Sequence, residues 1–191
     1  MPIGDFLSVC LGLGLSAACG FRVFVPLLVM SLAARADVLG LSPGFAWMGE
    51  TPALIAFAVA TALEIATYYV PWLDNLLDTV SSPAAVVAGV VVTASVVTGM
   101  DPALKWILAA IAGGGVAGAV QTLTVGTRQA SALATAGFGN PLVSTAELGG
   151  SLGLSLLAVA VPMVAAVAVV ALLIGTGWRL FRRRRAAGTS S

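Results

Sequence analysis

The chain of 191 residues has no histidine, only two cysteines, and charged side chains at only 9% of its positions. Without histidine there is no imidazole to ligate a metal or to act as a general base near neutral pH. Cys10 and Cys19 fall nine positions apart in one apolar stretch. In a helix that is a rise of about 13 Å, too far for a bridge. No Cys-x-x-Cys pair or nucleotide-binding fingerprint occurs, so no metal, no cofactor and no enzyme activity are expected. The scarcity of charge excludes an ordinary soluble domain, in which about 25% of residues are charged.

What is abundant is apolar: 59% of the residues are hydrophobic. So much apolar surface needs lipid as its solvent, and the expected fold class is all-α, a polytopic membrane helical bundle. Stretches of about 20 apolar residues are long enough to cross a bilayer. They occur near 6–32, 52–70, 83–100, 103–126 and 151–176, giving five predicted spans. Thr51-Pro52, Ser82-Pro83 and Asp101-Pro102 read as helix starts, and Ser144 to Glu147 reads as a capping box opening the last helix. Segment 129–143 is too short and polar to span, and reads either as an outer loop or as a re-entrant piece.

Charge distribution sets the expected orientation. Arg179, Arg182, Arg183, Arg184 and Arg185 form a basic tail over 179–191, beyond an integral membrane domain over 1–178. Such a run is retained in the cytoplasm and attracts anionic lipid; it is too short, and too close to the bilayer, to suggest nucleic acid. Five crossings then put the N-terminus outside, Arg35 and Lys105 inside, and Asp74 and Asp78 outside. Tyr68, Tyr69 and Trp72 form an interfacial belt on this reading. With Asp5 and no basic leader, the first span reads as a retained helix. The expected location is a bacterial cytoplasmic (inner) membrane.

Two stretches repeat. "GLGLSAACGFR" (12–22) and "GAVQTLTVGTR" (118–128) match at Gly12, Ser16, Gly20 and Arg22 against Gly118, Thr122, Gly126 and Arg128. Three intervening crossings would make them an inverted-topology repeat of halves 1–100 and 101–178, an architecture common among transporters. The four-residue spacing puts Gly12, Ser16 and Gly20 on one helical stripe, and Gly114, Gly118, Thr122 and Gly126 on another. Such stripes let helix backbones approach closely in lipid.

The intramembrane charges carry the chemistry. Arg22 precedes Pro26 by four residues, where a bend is expected because proline cannot donate to the Arg22 carbonyl. Glu64 lies 13 residues after Thr51 and Arg22 lies 13 before Arg35. That equal depth makes Glu64 the expected partner of Arg22, since a lone buried charge in lipid is costly. The other open partner is a backbone carbonyl freed by the bend. Asp74 and Asp78, one turn apart, read either as a cation-holding mouth with Glu64 or as a solvated outer helix. Arg128, Asn140, Ser144 and Glu147 form a downstream polar set, with Arg128 and Glu147 as the counterpart of Arg22 and Glu64.

"SAACGFRVFVPLL", Glu64-Pro71-Asp74-Asp78 with Pro83 after them, and "NPLVSTAE" following Arg128 resemble a family of bacterial multi-pass membrane proteins, domain-of-unknown-function family 4126. The resemblance covers nearly the whole chain except the basic tail. It implies an integral membrane protein without an assigned activity. It also implies a lysine near the tyrosine pair in many members, a position that Tyr68 and Tyr69 occupy here.

Two functions follow as expectations. One is a small transporter or channel-like protein that moves an ion or small solute along a charged path between two halves. The other is a structural or assembly protein that binds partner helices through its small-residue stripes. Beyond the lipid bilayer itself, a homodimer is the expected partner state, because five short helices make a thin bundle.

Overall fold

The structure, a computed structural model, describes residues 3–67, 71–135 and 138–188, with the side chains of residues 3, 71–78, 180, 181 and 183–188 outside the description. Every described element is helical. The order is α1 (Ile3–Phe21), α2 (Phe24–Arg35), a 3-10 turn (Pro43–Gly49), α3 (Thr51–Thr67), α4 (Pro71–Val96) and α5 (Pro102–Leu108). A π-helical turn (Ala109–Gly114) joins α5 to α6 (Gly115–Thr135), followed by α7 (Asn140–Ala160) and α8 (Pro162–Gly188). Among the described residues, five segments are long and apolar enough to cross a membrane, six if the bent pair Pro43–Gly49 and α3 is one span.

Helix α1 is the central element, with Leu15, Ala17, Ala18 and Cys19 fully buried. It packs on α4, α6, α7 and α8. Small residues permit this crowding. A Cβ on Gly20 would stand 2.5 Å from the Val120 side chain and 2.6 Å from the Ala117 carbonyl. Close backbone approach of this kind replaces the hydrophobic drive that lipid cannot supply. The outer helices show the complementary pattern: Val59 and Leu63 on α3, and Val167 and Ile174 on α8, are exposed apolar residues suited to a lipid solvent.

Contacts along α1 set the direction of every other helix. Ser16 Oγ donates to Gly89 O at 3.0 Å, and Asp5 lies beside Gly99, so α4 runs antiparallel to α1. Ser95 Oγ donates to Met30 Sδ, placing Met30 back near the start of α1. Helix α2 therefore folds back from Arg22, and α3 rises again beside it, with Arg35 bonded to Thr51 at 2.7 Å. Ser151 donates to Ala18 O and Ala158 abuts Gly14, so α7 descends along α1. Ala165 also abuts Gly14, and α8 returns upward.

This path corrects several sequence expectations. The 6–32 stretch is a hairpin, not one bent crossing. Stretch 151–176 is likewise divided. Val161 leaves the helical conformation (φ −141°, ψ 76°), as the following proline disfavours the α region, and Pro162 starts a new helix. The reversal at Arg22–Val23 flips the parity of every later connection. Arg35 and Lys105 thus share an end of the bundle with the N-terminus, while α4 begins at the opposite end, where α8 finishes. The termini themselves lie at opposite ends.

Local signals held in part. Asp101 Oδ1 accepts from the amides of Ala103 and Leu104, a genuine N-cap. Gly99 turns the chain just before it with φ +77°, a conformation that favours glycine. Ser82-Pro83 starts no helix, because Pro83 lies inside α4. Segment 129–143 is neither a loop nor a re-entrant piece over its described part: it comprises the end of α6, a turn at 138–139 and the start of α7. With Pro141 in the first turn of α7, Ser144 and Glu147 sit inside the helix and form no capping box.

Candidate functional site

The break between α1 and α2 creates the site. Helix α1 stops at Phe21, and Pro26 enters the first turn of α2, where its missing N–H costs no hydrogen bond. The break leaves the amides of Val23 and Phe24 without intrahelical partners. Glu64, from α3, supplies them: Oε1 accepts from Val23 N at 2.7 Å and Oε2 from Phe24 N at 3.1 Å. Its negative charge also sits at the positive end of the α2 dipole. Matching depth thus brought Glu64 to the Arg22 level, but its carboxylate caps a helix from outside.

Arg22 turns the other way, toward α7. Its Nη2 donates to Ser144 O at 2.8 Å and to Ser144 Oγ, and lies 3.8 Å from Glu147 Oε2. The expected Arg22–Glu64 pair is therefore replaced by an Arg22–Glu147 contact, and the accepting carbonyl belongs to α7 instead of the bend. Arg128 reaches the same carboxylate: its Nε lies 3.0 Å from both Glu147 oxygens, and its Nη2 also bonds Oε2. Glu147 is shared by two guanidiniums, all three side chains being buried. The expected Arg128–Glu147 pair is present, and Arg22 joins it.

The cluster is not central in the bundle. Gly4–Phe21 covers 18 residues, a rise of about 27 Å. Arg22 consequently lies toward the end where α8 finishes. Asn140 opens α7 at that end. The backbone of α4 puts Asp74 and Asp78 one turn apart on a single helix face, but their side chains lie outside the described residues, as do Tyr68, Tyr69 and the Trp72 side chain.

The two repeat stretches are parallel. Gly20 abuts Ala117 and Val120, Thr124 donates toward Gly20 O, and Arg22 and Arg128 meet at one carboxylate. An inverted relation between them is thereby excluded, because both rise in the same direction. Nor do the stripes face each other. Gly12 and Ser16 pack on Thr93 and Gly89 of α4, whereas Gly114 and Gly118 pack on Val86 and Val90. Thr122 and Gly126 are exposed. The stripe of α6 that enters the bundle is offset from the expected one, through Ala117, Gln121, Thr124 and Arg128. The drift of a four-residue period in a helix of about 3.6 residues per turn accounts for the offset.

Polar residues outside the expected set complete the layer. Gln121 Nε2 donates to Ser81 Oγ at 3.0 Å in a buried contact, and Thr67 lies beside Glu64. Gln121 stands out in retrospect as an amide inside an apolar run. Two clefts flank the cluster. One, of about 320 Å³, lies among α1, α6, α7 and α8 and reaches Glu147, Thr124 and Thr176. The other, of about 350 Å³, lies among α2, α3 and α4 and reaches Glu64, Thr67 and Ser81. Each glutamate therefore lines its own cleft.

Comparison with known proteins adds one finding. The family model described as "Domain of unknown function (DUF4126)" matches residues 9–183. No curated protein and no solved structure matches the chain.

Proposed function

The chain belongs to the DUF4126 family, and from the charge layer it carries we propose that it is a non-enzymatic membrane protein that passes or binds a small ion or polar solute at Arg22, Glu64, Arg128 and Glu147. One observation supports this reading above the others: the buried charges stand between two clefts, each lined by one of the glutamates. Buried ionisable groups are expensive in a membrane and are retained mainly along ion or solute pathways. Helix packing alone would not need them. Pairs of opposite charge would exchange partners with a passing ion, and the broken start of α2 offers backbone amides to an anion whenever Glu64 moves aside.

The competing assembly reading is weaker, because Gly12, Ser16, Gly20 and Gly114 are used inside the bundle. For orientation we propose a bacterial inner membrane, with the basic C-terminal tail in the cytoplasm and the N-terminus outside. A homodimer is part of the proposal, and cross-linking in native membranes tests it. Proteoliposomes loaded with a panel of small anions and cations test solute handling. Flux of one class should appear with the wild type and fall in Arg22→Lys, which keeps the charge but loses the guanidinium geometry. No flux across the panel, or equal flux in the folded variant, overturns the proposal.

A further inference from the structure

An apolar groove lies apart from the Arg22–Glu147–Arg128 cluster. Helices α3 and α4 hardly touch each other. Between them and α2 runs this groove of about 490 Å³, lined by apolar side chains that include Leu27, Phe57, Ala84, Val87 and Val91. Its mouth is lateral: Val80 and Val87 are exposed on α4, within the span Thr79–Val96. At one end it meets the cleft that reaches Glu64, Thr67 and Ser81, the two cavities sharing Val23, Phe24, Val80 and Ala84. The space is thus an apolar slot with a polar tip, of a size typical of sites for small organic ligands.

We propose that this groove holds the acyl chain of a bilayer phospholipid, entering sideways between α3 and α4, with its head group at the Glu64–Thr67–Ser81 end. The direction of opening and the chemistry of the wall select this occupant. At the depth of Val87 the surrounding medium is hydrocarbon, and the described residues of the slot offer an incoming molecule apolar contact. The polar tip lies at the Arg22 level, toward one end of the bundle, where head groups and interfacial water begin. The lateral mouth opens within the apolar span Thr79–Val96, so a lipid chain reaches it without leaving hydrocarbon. A head group at Glu64 would occupy the cleft assigned above to the solute; because labelling reads binding and not flux, either proposal can fail while the other stands.

The test uses full-length protein in phosphatidylethanolamine–phosphatidylglycerol vesicles that carry a trace of phosphatidylcholine with a diazirine in its acyl chain. After photolysis, labelled positions are mapped by mass spectrometry. Leu27 and Phe57, inside the groove, should be labelled about tenfold more than the fully lipid-facing Val167 and Ile174 of α8, the ratio given by an affinity advantage of ~1.4 kcal/mol. Ala84→Trp should fill the slot and reduce Leu27 labelling to the α8 level while leaving α8 unchanged. If that variant does not assemble, Val87→Trp at the mouth replaces it. Labelling of Leu27 and Phe57 no higher than that of α8, or unchanged Leu27 labelling in an assembled Trp variant, overturns the proposal. So does an unlabelled Leu27 accompanied by cross-links between two copies, which would mean that a second chain covers the groove.

Discussion

Glu64 and Glu147 are buried to nearly the same extent, 6% and 5% exposed, and stand at about the same level of the bundle. Their partners differ in kind. Glu147 is held by the guanidiniums of Arg22 and Arg128, whereas Glu64 is held by two backbone amides at the start of α2. The difference follows from backbone geometry. A broken helix presents unsatisfied N–H groups, so an acid beside it has a partner without any cation. Glu147 faces the side chains of Arg22 and Arg128 instead of the start of a broken helix, and is held by guanidiniums. Two acids that hydropathy treats alike therefore have unlike roles.

The largest expected effect tests the Glu147 side. Glu147→Ala removes the carboxylate shared by two buried cations, and breaking a buried pair in this way costs about 3–5 kcal/mol. Denaturation of the detergent-solubilised protein measures it. A loss no greater than that of Glu64→Ala would erase the distinction between the two acids. The function proposed above makes a linked claim: in variants that still fold, changes at either acid should reduce flux, because each lines its own cleft.

A smaller effect tests how α1 is held beside α6, just before Arg22. The repeat pairs Gly20 with Gly126, but their surroundings differ. A Cβ on Gly20 would meet Val120 and Ala117, while one on Gly126 would meet nothing within 4 Å. Gly20→Ala should destabilise by about 1–3 kcal/mol through overpacking. Gly126→Ala should be neutral or stabilise by up to ~1 kcal/mol through helix propensity. Equal effects in the same denaturation assay would mean that the two glycines are structurally equivalent after all.

The bundle class was readable because hydropathy and the shortage of charge act on the whole chain at once. Glu64 was also placed correctly in depth, because counting residues along two helices from a shared end needs only the helical rise. What failed was the reversal at Arg22–Val23. Pro26 was visible, but a proline in a helical run is compatible with either a kink or a new first turn. Only the contact of Met30 with Ser95 and the cap from Glu64 distinguish them. That single ambiguity moved Arg35 and Lys105 to the wrong end and turned a parallel repeat into an inverted one. Pro162 and Pro141 were likewise decided by long-range packing, through Ala158 and Ala165 on Gly14 and Ser144 under Arg22.

The smallest effect concerns the Glu64 side and is the most discriminating. If Glu64 acts as the cap of α2, Glu64→Ala should cost about 0.5–2 kcal/mol, the range for losing an N-cap. Glu64→Gln keeps one carbonyl oxygen for Val23 or Phe24 and loses mainly the charge at the helix end, worth about 0.3–1 kcal/mol. An ion-pair partner would behave differently, since Gln would leave a cation uncompensated and cost nearly as much as Ala. The reciprocal exchange sharpens this further. Arg22→Glu combined with Glu64→Arg should not recover stability, because an arginine at position 64 cannot accept from the amides of α2, and a glutamate at position 22 would face Glu147 and the Ser144 carbonyl. Recovery in the double variant, followed by the same denaturation assay, would make Glu64 a charge partner and return the two acids to equivalence.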